Sequence, residues 1–172
     1  PGNDGAFLGD PVFEATFGWK PHNQTMQDLA GGLLETQIVH AMANPPKELK
    51  EDYLFDAKWP PYAHQYEAWQ HLLKDEPRSV IVSSGTGSGK TECFLVPILN
   101  DIVKRKSKAD GVEALFLYPL NALINSQKDR LTAWTQELGS NVKFCLYNGE
   151  TKESIPASKQ RLFPNQQLSR KT

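Results

Sequence analysis

The sequence has few cysteines, no long apolar run and almost no net charge. Its 172 residues include 2 cysteines, and 19 basic residues are balanced by 20 acidic ones. No run of about 18 apolar residues occurs, which argues against a membrane span. No charged-then-apolar signal segment opens the chain. We therefore expect a cytoplasmic protein, without a membrane partner, that does not bind nucleic acid by bulk electrostatics alone.

Cysteine and histidine show no metal-ligand spacing. Cys93 and Cys145 fall in a helical and a strand-like apolar pattern, so we expect two buried free thiols in a reducing cytoplasm. Structural or surface roles are expected for the scattered histidines, which are His22, His40, His64 and His71.

The most informative segment is the glycine-rich stretch SGTGSGKT at residues 84–91. It follows a short apolar run and precedes a helical pattern, the context that a phosphate-binding loop needs. Glycines let consecutive N–H groups point at one anion, and the helix adds its positive end. Lys90 is predicted to bind the β- and γ-phosphates and Thr91 to ligate Mg²⁺. The other predicted nucleotide-binding residues here are Gly85, Thr86, Gly87, Ser88 and Gly89. The alternative is a glycine-rich turn without a ligand.

Hydrophobic periodicity predicts an α/β fold with a parallel sheet, preceded by an accessory segment at 1–58. Apolar and polar residues alternate over 11–19, which predicts a strand or an extended arm. Thr25 can cap a short helix. The last twenty residues look loop-like. Predicted helices cover 25–29, 33–42, 62–73, 91–106 and 121–138, and predicted strands cover 79–83, 112–118 and 142–147.

A basic cluster ends the helix that follows the loop. It consists of Lys104, Arg105, Lys106 and Lys108. Cations favour helix C-termini in any case, so a structural role competes with direct nucleic-acid contact.

The loop begins with Ser84, where the general phosphate-binding pattern has glycine. A small residue at this position, together with Thr-Gly-Ser-Gly-Lys-Thr at 86–91, resembles motif I of superfamily 2 helicases of the DEAD/DEAH-box type. Tyr62-Ala-His-Gln65 resembles the upstream element of these helicases that reads adenine. A side-chain amide can donate to N7 and accept from the 6-amino group at once, which distinguishes adenine from guanine, and Tyr62 could stack on the base. The competing interpretation places Gln65 on the surface of a helix.

Two further stretches carry the same resemblance. Residues 118–127 resemble motif Ia, which holds a nucleic-acid phosphate through backbone amides at a strand-to-helix turn. The family usually has Thr at position 120 and Lys or Arg at 121, so the side-chain contacts are weakened, and a plain junction is the alternative. Residues 147–151 resemble a loop near the nucleic-acid track, although a simple turn is equally compatible. The implied nucleic-acid residues are Pro119, Leu120, Asn121, Gln127 and Gly149.

The resemblance implies a RecA-like P-loop NTPase sheet at 59–172 that binds ATP and Mg²⁺, with DNA favoured over RNA as the polymer. The residues of these motifs, with Tyr-Pro-Leu-Asn-Ala-Leu in motif Ia, are similar to those of large bacterial Lhr-like and MrfA-like helicases and of the helicase of Druantia phage-defence systems. No Asp-Glu-x-His or Asp-Glu-Ala-Asp is present to organise the attacking water. We therefore expect the N-terminal portion of a longer helicase, inactive alone and dependent on downstream helicase domains.

Other enzyme classes built on such a loop fit less well. A guanine-reading Asn-Lys-x-Asp is missing, and no arginine-bearing lid of a nucleoside kinase is recognisable. The remaining alternative is a standalone P-loop nucleotide-binding or interaction module that does not hydrolyse its ligand.

Overall fold

The computed structural model describes residues 18–105, 111–149, 151–161 and 165–170. The predicted extended stretch at 11–19 therefore lies mostly outside the described residues, as do Lys106 and Lys108 of the basic cluster. The helices are α1 (Met26–Leu29), α2 (Thr36–Ala43), α3 (Lys50–Tyr53), α4 (Ala63–Leu72), α5 (Lys90–Arg105), α6 (Asn121–Thr135) and α7 (Ala157–Arg161). Short 3₁₀ helices cover Lys47–Leu49 and Gln136–Asn141.

The predicted cap of the first helix is confirmed. The Thr25 hydroxyl accepts a hydrogen bond from the backbone N–H of Asp28, and the Asp28 carboxylate accepts one from the Thr25 N–H, which is a capping box. Helix α2 begins later than predicted because the chain first makes a tight turn. In that turn the Gly31 N–H donates to the Leu34 carbonyl at 2.7 Å, and Gly31 adopts a φ of +76°.

The N-terminal segment shares one apolar core with the helices that follow it. Met26 and Met42 are buried together with Trp69, Val96 and Trp134. A polar contact adds to this packing, since Asn100 Oδ1 accepts a hydrogen bond from the Glu35 N–H at 2.6 Å. The segment before residue 59 is thus packed on α4, α5 and α6, and the domain boundary at residue 58 stays a prediction.

The sheet is much smaller than the sequence pattern predicts. Strand β1 (Phe144–Cys145) pairs in parallel with β2 (Gln166–Gln167). The predictions of strands at 79–83 and 112–118 are wrong for this structure, since neither segment forms a strand and Ile81 and Leu117 are 96% and 83% exposed. A strand exists only through its hydrogen-bonded neighbours, and nothing in the described part of the chain pairs with these two segments.

Half-buried and exposed residues nevertheless alternate along both segments, as they do along a strand. Ala114, Phe116 and Tyr118 are half-buried, whereas the residues between them are exposed. The Phe116 ring lies 5.9 Å from that of Phe94 on α5. One side of the segment therefore packs on the helices, and the expected burial on both sides is not observed.

The C-terminal region is more ordered than the predicted loop. It contains α7 and β2, and a buried amide anchors it. Asn165 Nδ2 donates to the carbonyl oxygens of Thr135 at 3.1 Å and Val142 at 3.0 Å. Cys145, which was predicted to be buried, is exposed because only its neighbour Phe144 turns toward the core. None of the helices in the described ranges has the length and apolar character that crossing a membrane requires.

Candidate nucleotide-binding and nucleic-acid-binding site

The glycine-rich loop (residues 84–91) is closed around its own lysine. Lys90 Nζ donates hydrogen bonds to the carbonyl oxygens of Ser84 at 2.9 Å and Gly85 at 2.6 Å. Gly87 and Gly89 adopt φ values of +73° and +71°, a region that side chains with a Cβ disfavour. The loop thus needs glycine at these two positions to curl around one positive charge.

Helix α5 begins inside this loop, at Lys90. Its first-turn N–H groups have no intrahelical partner, and the half-buried Thr91 follows Lys90 directly. The buried Ser88 hydroxyl lies 2.6 Å from that of Ser84, which ties the two ends of the turn together. An anion at this point would meet an ammonium, a helix N-terminus and free backbone donors.

Gln65 joins α4 to the loop. Its Oε1 accepts a hydrogen bond from the Tyr62 N–H at 2.8 Å, and its Nε2 donates to the Gly89 carbonyl at 3.1 Å. The side chain is 2% exposed, so the interpretation of Gln65 as a surface residue is wrong. Each end of an amide can make a second hydrogen bond, which leaves one donor and one acceptor for another ligand.

Two ring side chains that were not predicted as site residues, Trp19 and His64, lie beside the loop. The Trp19 ring packs against Gly85 and lies 5.7 Å from the His64 ring. His64 Nε2 lies 2.8 Å from the Ser88 carbonyl oxygen, and its ring stacks on Tyr62 at 5.7 Å. No sequence signal marks Trp19, whereas His64 stands next to Gln65 and could have been examined with it.

The motif Ia segment lies at the start of α6. Leu120 is the N-cap residue and makes no side-chain cap hydrogen bond, so the N–H groups of Asn121 and Ala122 are not capped by its side chain. The Leu123 N–H donates to the Leu120 carbonyl at 3.1 Å. Pro119, Leu120 and Asn121 are all exposed. Gln127 is half-buried two turns further along, where its Oε1 accepts a hydrogen bond from Arg130 Nη1 at 3.4 Å.

A mostly buried ion pair connects α5 with α6. Arg130 Nη1 lies 3.5 Å from Glu92 Oε1, and the two side chains are 23% and 12% exposed. Glu92 follows Thr91 directly, so this contact joins the end of the glycine-rich loop to the motif Ia helix. No sequence pattern predicts this pair, because its two residues are distant in the chain.

The remaining predicted elements are peripheral to the loop. Gly149 is exposed in a turn closed by Thr151, whose Oγ1 donates to the Leu146 carbonyl at 2.7 Å. In the basic cluster, Arg105 pairs with Asp101 and lies 3.6 Å from Glu113, which fits the structural interpretation. The described residues contain no cluster of three or more side chains able to hold a metal.

Burial changes the acidity of two groups near the site. The pKa of the Cys93 thiol is raised to about 11, first by burial and then by the negative charge of Glu92. Its Sγ lies 3.6 Å from the Gly89 carbonyl oxygen. Burial also raises the pKa of the Tyr118 phenol, and the positive charge of Arg130 partly offsets that increase.

Comparison with known families shows which family contains this arrangement of motifs. The family profile described as DEAD/DEAH box helicase matches residues 62–164, which contain the loop, Gln65 and the motif Ia segment. The chain belongs to the DEAD/DEAH box helicase family. The resemblance predicted from the sequence motifs is thereby confirmed, and this family implies a RecA-like fold, binding of ATP with Mg²⁺ and binding of nucleic acid.

Several curated helicases are similar to this family member. The uncharacterized ATP-dependent helicase YprA of Bacillus subtilis is 36% identical over 94 residues, which are 55% of this chain and 12% of YprA. The Druantia protein DruE of Escherichia coli is 39% identical over 77 residues, which are 41% of this chain and 4% of DruE. The ATP-dependent RNA helicase DBP3 of Eremothecium gossypii is 36% identical over 99 residues, 57% of this chain and 18% of DBP3.

The chain thus spans a small part of these helicases, between 4% and 18% of their length. No solved structure matches it. The residues of the loop fit the nucleotide that the family implies, because one short loop contains the ammonium of Lys90, two glycines with positive φ and the start of α5.

Proposed function

We propose that this chain is the ATP- and nucleic-acid-binding N-terminal portion of an ATP-dependent helicase or translocase. The observation that carries the proposal is the closed glycine-rich loop at the start of α5, in which Lys90 Nζ is held by two backbone carbonyls. A phosphate group is a stronger partner for an ammonium than neutral carbonyls are. Lys90 would therefore exchange the oxygens of Ser84 and Gly85 for phosphate oxygens when a nucleotide binds.

Each predicted site residue has one task in this proposal. Lys90 and Thr91 hold the triphosphate and its Mg²⁺, which neutralises phosphate charge when bound. The backbone N–H groups of 85–89 complete the cradle. Gln65, whose second donor and acceptor are not used by Tyr62 and Gly89, reads adenine, and the Tyr62 ring stacks on it.

The nucleic-acid track is proposed to pass over the start of α6. The uncapped N–H groups after Leu120 and the exposed turn at Gly149 offer contacts to phosphates without regard to base. The resemblance to large bacterial helicases favours DNA over RNA. Stimulation of ATP hydrolysis by single-stranded DNA and by RNA of the same sequence, compared in the intact protein that carries this chain, tests that choice.

Hydrolysis is proposed to need residues that this sequence does not contain. No Asp-Glu-x-His or Asp-Glu-Ala-Asp occurs in it, so no carboxylate pair is placed to organise the water. The alternative is a standalone nucleotide-binding or interaction module. ATP-dependent displacement of a labelled strand by the intact protein supports the helicase proposal, whereas tight ATP binding with neither hydrolysis nor strand displacement supports the module.

A further inference from the structure

The Glu92–Arg130 ion pair has incomplete geometry. A single contact of 3.5 Å joins Arg130 Nη1 to Glu92 Oε1. The other carboxylate oxygen, Glu92 Oε2, and the Arg130 Nε are buried and have no hydrogen-bond partner among the described residues. An unpartnered buried polar group is costly, and a guanidinium can bind both oxygens of a carboxylate in a bidentate arrangement. The same two side chains therefore have a second, better-paired arrangement available.

Arg130 is fixed on the α6 side of this contact. Its guanidinium lies 5.8 Å from the ring centres of both Tyr53 and Trp134. Trp134 Nε1 donates to the Tyr53 carbonyl at 2.9 Å, which holds the two rings together. Arg130 Nη1 also donates to Gln127 Oε1, a residue of the motif Ia segment. A change in the position of α6 would thus be carried to Arg130.

Glu92 is fixed on the side of the glycine-rich loop. Its backbone carbonyl accepts a hydrogen bond from Trp69 Nε1 at 2.8 Å. Its free Oε2 lies directly behind the loop, 3.1 Å from the point where a Cβ on Gly89 would stand. A change in the backbone at Gly89 would therefore move the carboxylate relative to Arg130.

We propose that Glu92 and Arg130 are positioning residues that couple the nucleotide loop to the nucleic-acid-binding end of α6. Occupation of the loop shifts the pair from its single contact to the bidentate one, and nucleic acid on α6 favours the same arrangement. This coupling rests on the proposed function. A contact with two arrangements that both sites bias is the physical basis that such coupling requires. A purely structural ion pair is the competing explanation.

The test uses the intact protein with Glu92→Gln, Arg130→Lys and both together. Glu92→Gln keeps the shape of the side chain but removes its charge. Arg130→Lys keeps the charge but removes the planar guanidinium that can bind both carboxylate oxygens. ATP hydrolysis is measured with and without single-stranded DNA. We expect each single variant to lower the stimulation by DNA at least about 5-fold with basal hydrolysis nearly unchanged, and the double variant to be no worse than either. Tm should fall in each single variant, because the remaining partner is left in a mostly buried place without its full pairing.

The exposed pair Asp101–Arg105 on the same helix provides the matched control. Asp101→Asn should leave the stimulation by DNA unchanged. A fall in Tm and basal rate with an unchanged stimulation ratio would show a structural pair and overturn the coupling. If Glu92→Gln does not fold, the ratio of ATP hydrolysis with and without DNA in Arg130→Lys tests the coupling alone.

Failure of the proposed function gives a different result. In that case the unmodified protein shows no ATP hydrolysis that single-stranded DNA or RNA stimulates, and both proposals fall. If RNA alone stimulates hydrolysis, the same variants are compared with RNA. If the unmodified protein is stimulated and the two single variants are stimulated equally, only the coupling is wrong.

Discussion

Gln65 Nε2 donates a hydrogen bond to the carbonyl oxygen of Gly89 across a distance of 3.1 Å. This bond joins α4 to the last glycine of the loop. The fit is close, because a Cβ built on Gly89 would collide with the Gln65 amide, and it would also lie 3.1 Å from Glu92 Oε2. Gly87 has nothing within 4 Å of the same position. The two glycines share a positive φ but differ in their surroundings.

Alanine at these glycines should therefore have different effects. Gly87→Ala should cost only the strain of a left-handed residue, about 1–2 kcal/mol. Gly89→Ala should also displace Gln65 and lose its buried hydrogen bond, which adds about 1–3 kcal/mol. Thermal unfolding of the two variants of the intact protein measures the difference. Equal Tm values would contradict the close fit between Gln65 and Gly89.

The adenine preference is predicted to depend on Gln65. Gln65→Ala removes the remaining donor and acceptor of the amide, so the preference for ATP over GTP should disappear. Gln70→Ala is the control, because Gln70 is exposed on the same helix and its Nε2 donates only to the Tyr66 hydroxyl at 3.1 Å. Competition binding of ATP and GTP gives the ratio. An unchanged ratio in Gln65→Ala would show that another residue reads the base.

Nucleotide affinity is predicted to depend on Lys90. A charge-assisted hydrogen bond contributes about 1.5–3 kcal/mol, so Lys90→Ala should weaken ATP binding roughly 10- to 100-fold. Lys104→Ala removes the same charge from the exposed end of α5 and should change the affinity little. Titration calorimetry on the intact protein compares them. Identical affinities for Lys90→Ala and the unmodified protein would remove Lys90 from the site.

The sequence predicted α1, α2, α4, α5 and α6 to within a few residues because their signals are local, whereas the short helices α3 and α7 were not predicted. Caps such as Thr25, apolar spacing and the glycines of the loop lie within a few residues of the structure they specify. The strands were predicted less well, since a strand is realised only through distant partners. The contacts of Glu92, Arg130 and Asn165 have the same origin, because each joins residues that are far apart in sequence.

The two cysteines are predicted to react at very different rates. Cys93 is 0% exposed with a pKa of about 11, whereas Cys145 is exposed. Because the thiolate is the reactive form, an alkylating reagent at pH 8 should modify Cys145 and not Cys93 until the protein unfolds. Mass spectrometry of labelled peptides distinguishes the two positions. Rapid native labelling of Cys93 would contradict its burial.

The raised pKa of Cys93 also predicts a dependence of stability on pH. The folded thiol keeps its proton to about pH 11, while an unfolded thiol loses it near pH 9.0. The native state therefore binds more protons between these values, so the free energy of unfolding should fall as pH rises through this window. Cys93→Ala should reduce that slope in unfolding curves. Burial also raises the pKa of the Cys145 thiol, so Cys145→Ala should reduce the slope as well, but less than Cys93→Ala does.

The last prediction is that residues 1–172 do not form a stable monomer alone. The resemblance implies that the strand bearing the Asp-Glu-x-His or Asp-Glu-Ala-Asp motif and the strand after it lie between the loop strand and the motif Ia strand. Neither form of that motif occurs in this sequence. The segments at 79–83 and 112–118 accordingly expose large apolar residues, which include Ile81, Val112, Leu115 and Leu117.

Without the two intervening strands, the segments at 79–83 and 112–118 have no strand between them to pair with. The cost of leaving their backbone groups unpaired is large compared with the free energy of unfolding of a domain. A buried backbone group without a partner costs about 1–3 kcal/mol, so a few of them consume the roughly 5–15 kcal/mol that stabilise a typical domain. Leaving the two segments open to water avoids that cost but exposes an apolar surface that favours association. We therefore expect the isolated chain to aggregate or to melt without cooperativity, and a longer chain that supplies the intervening strands to melt sharply. A monomer of residues 1–172 with a cooperative transition and dispersed amide resonances would refute this argument.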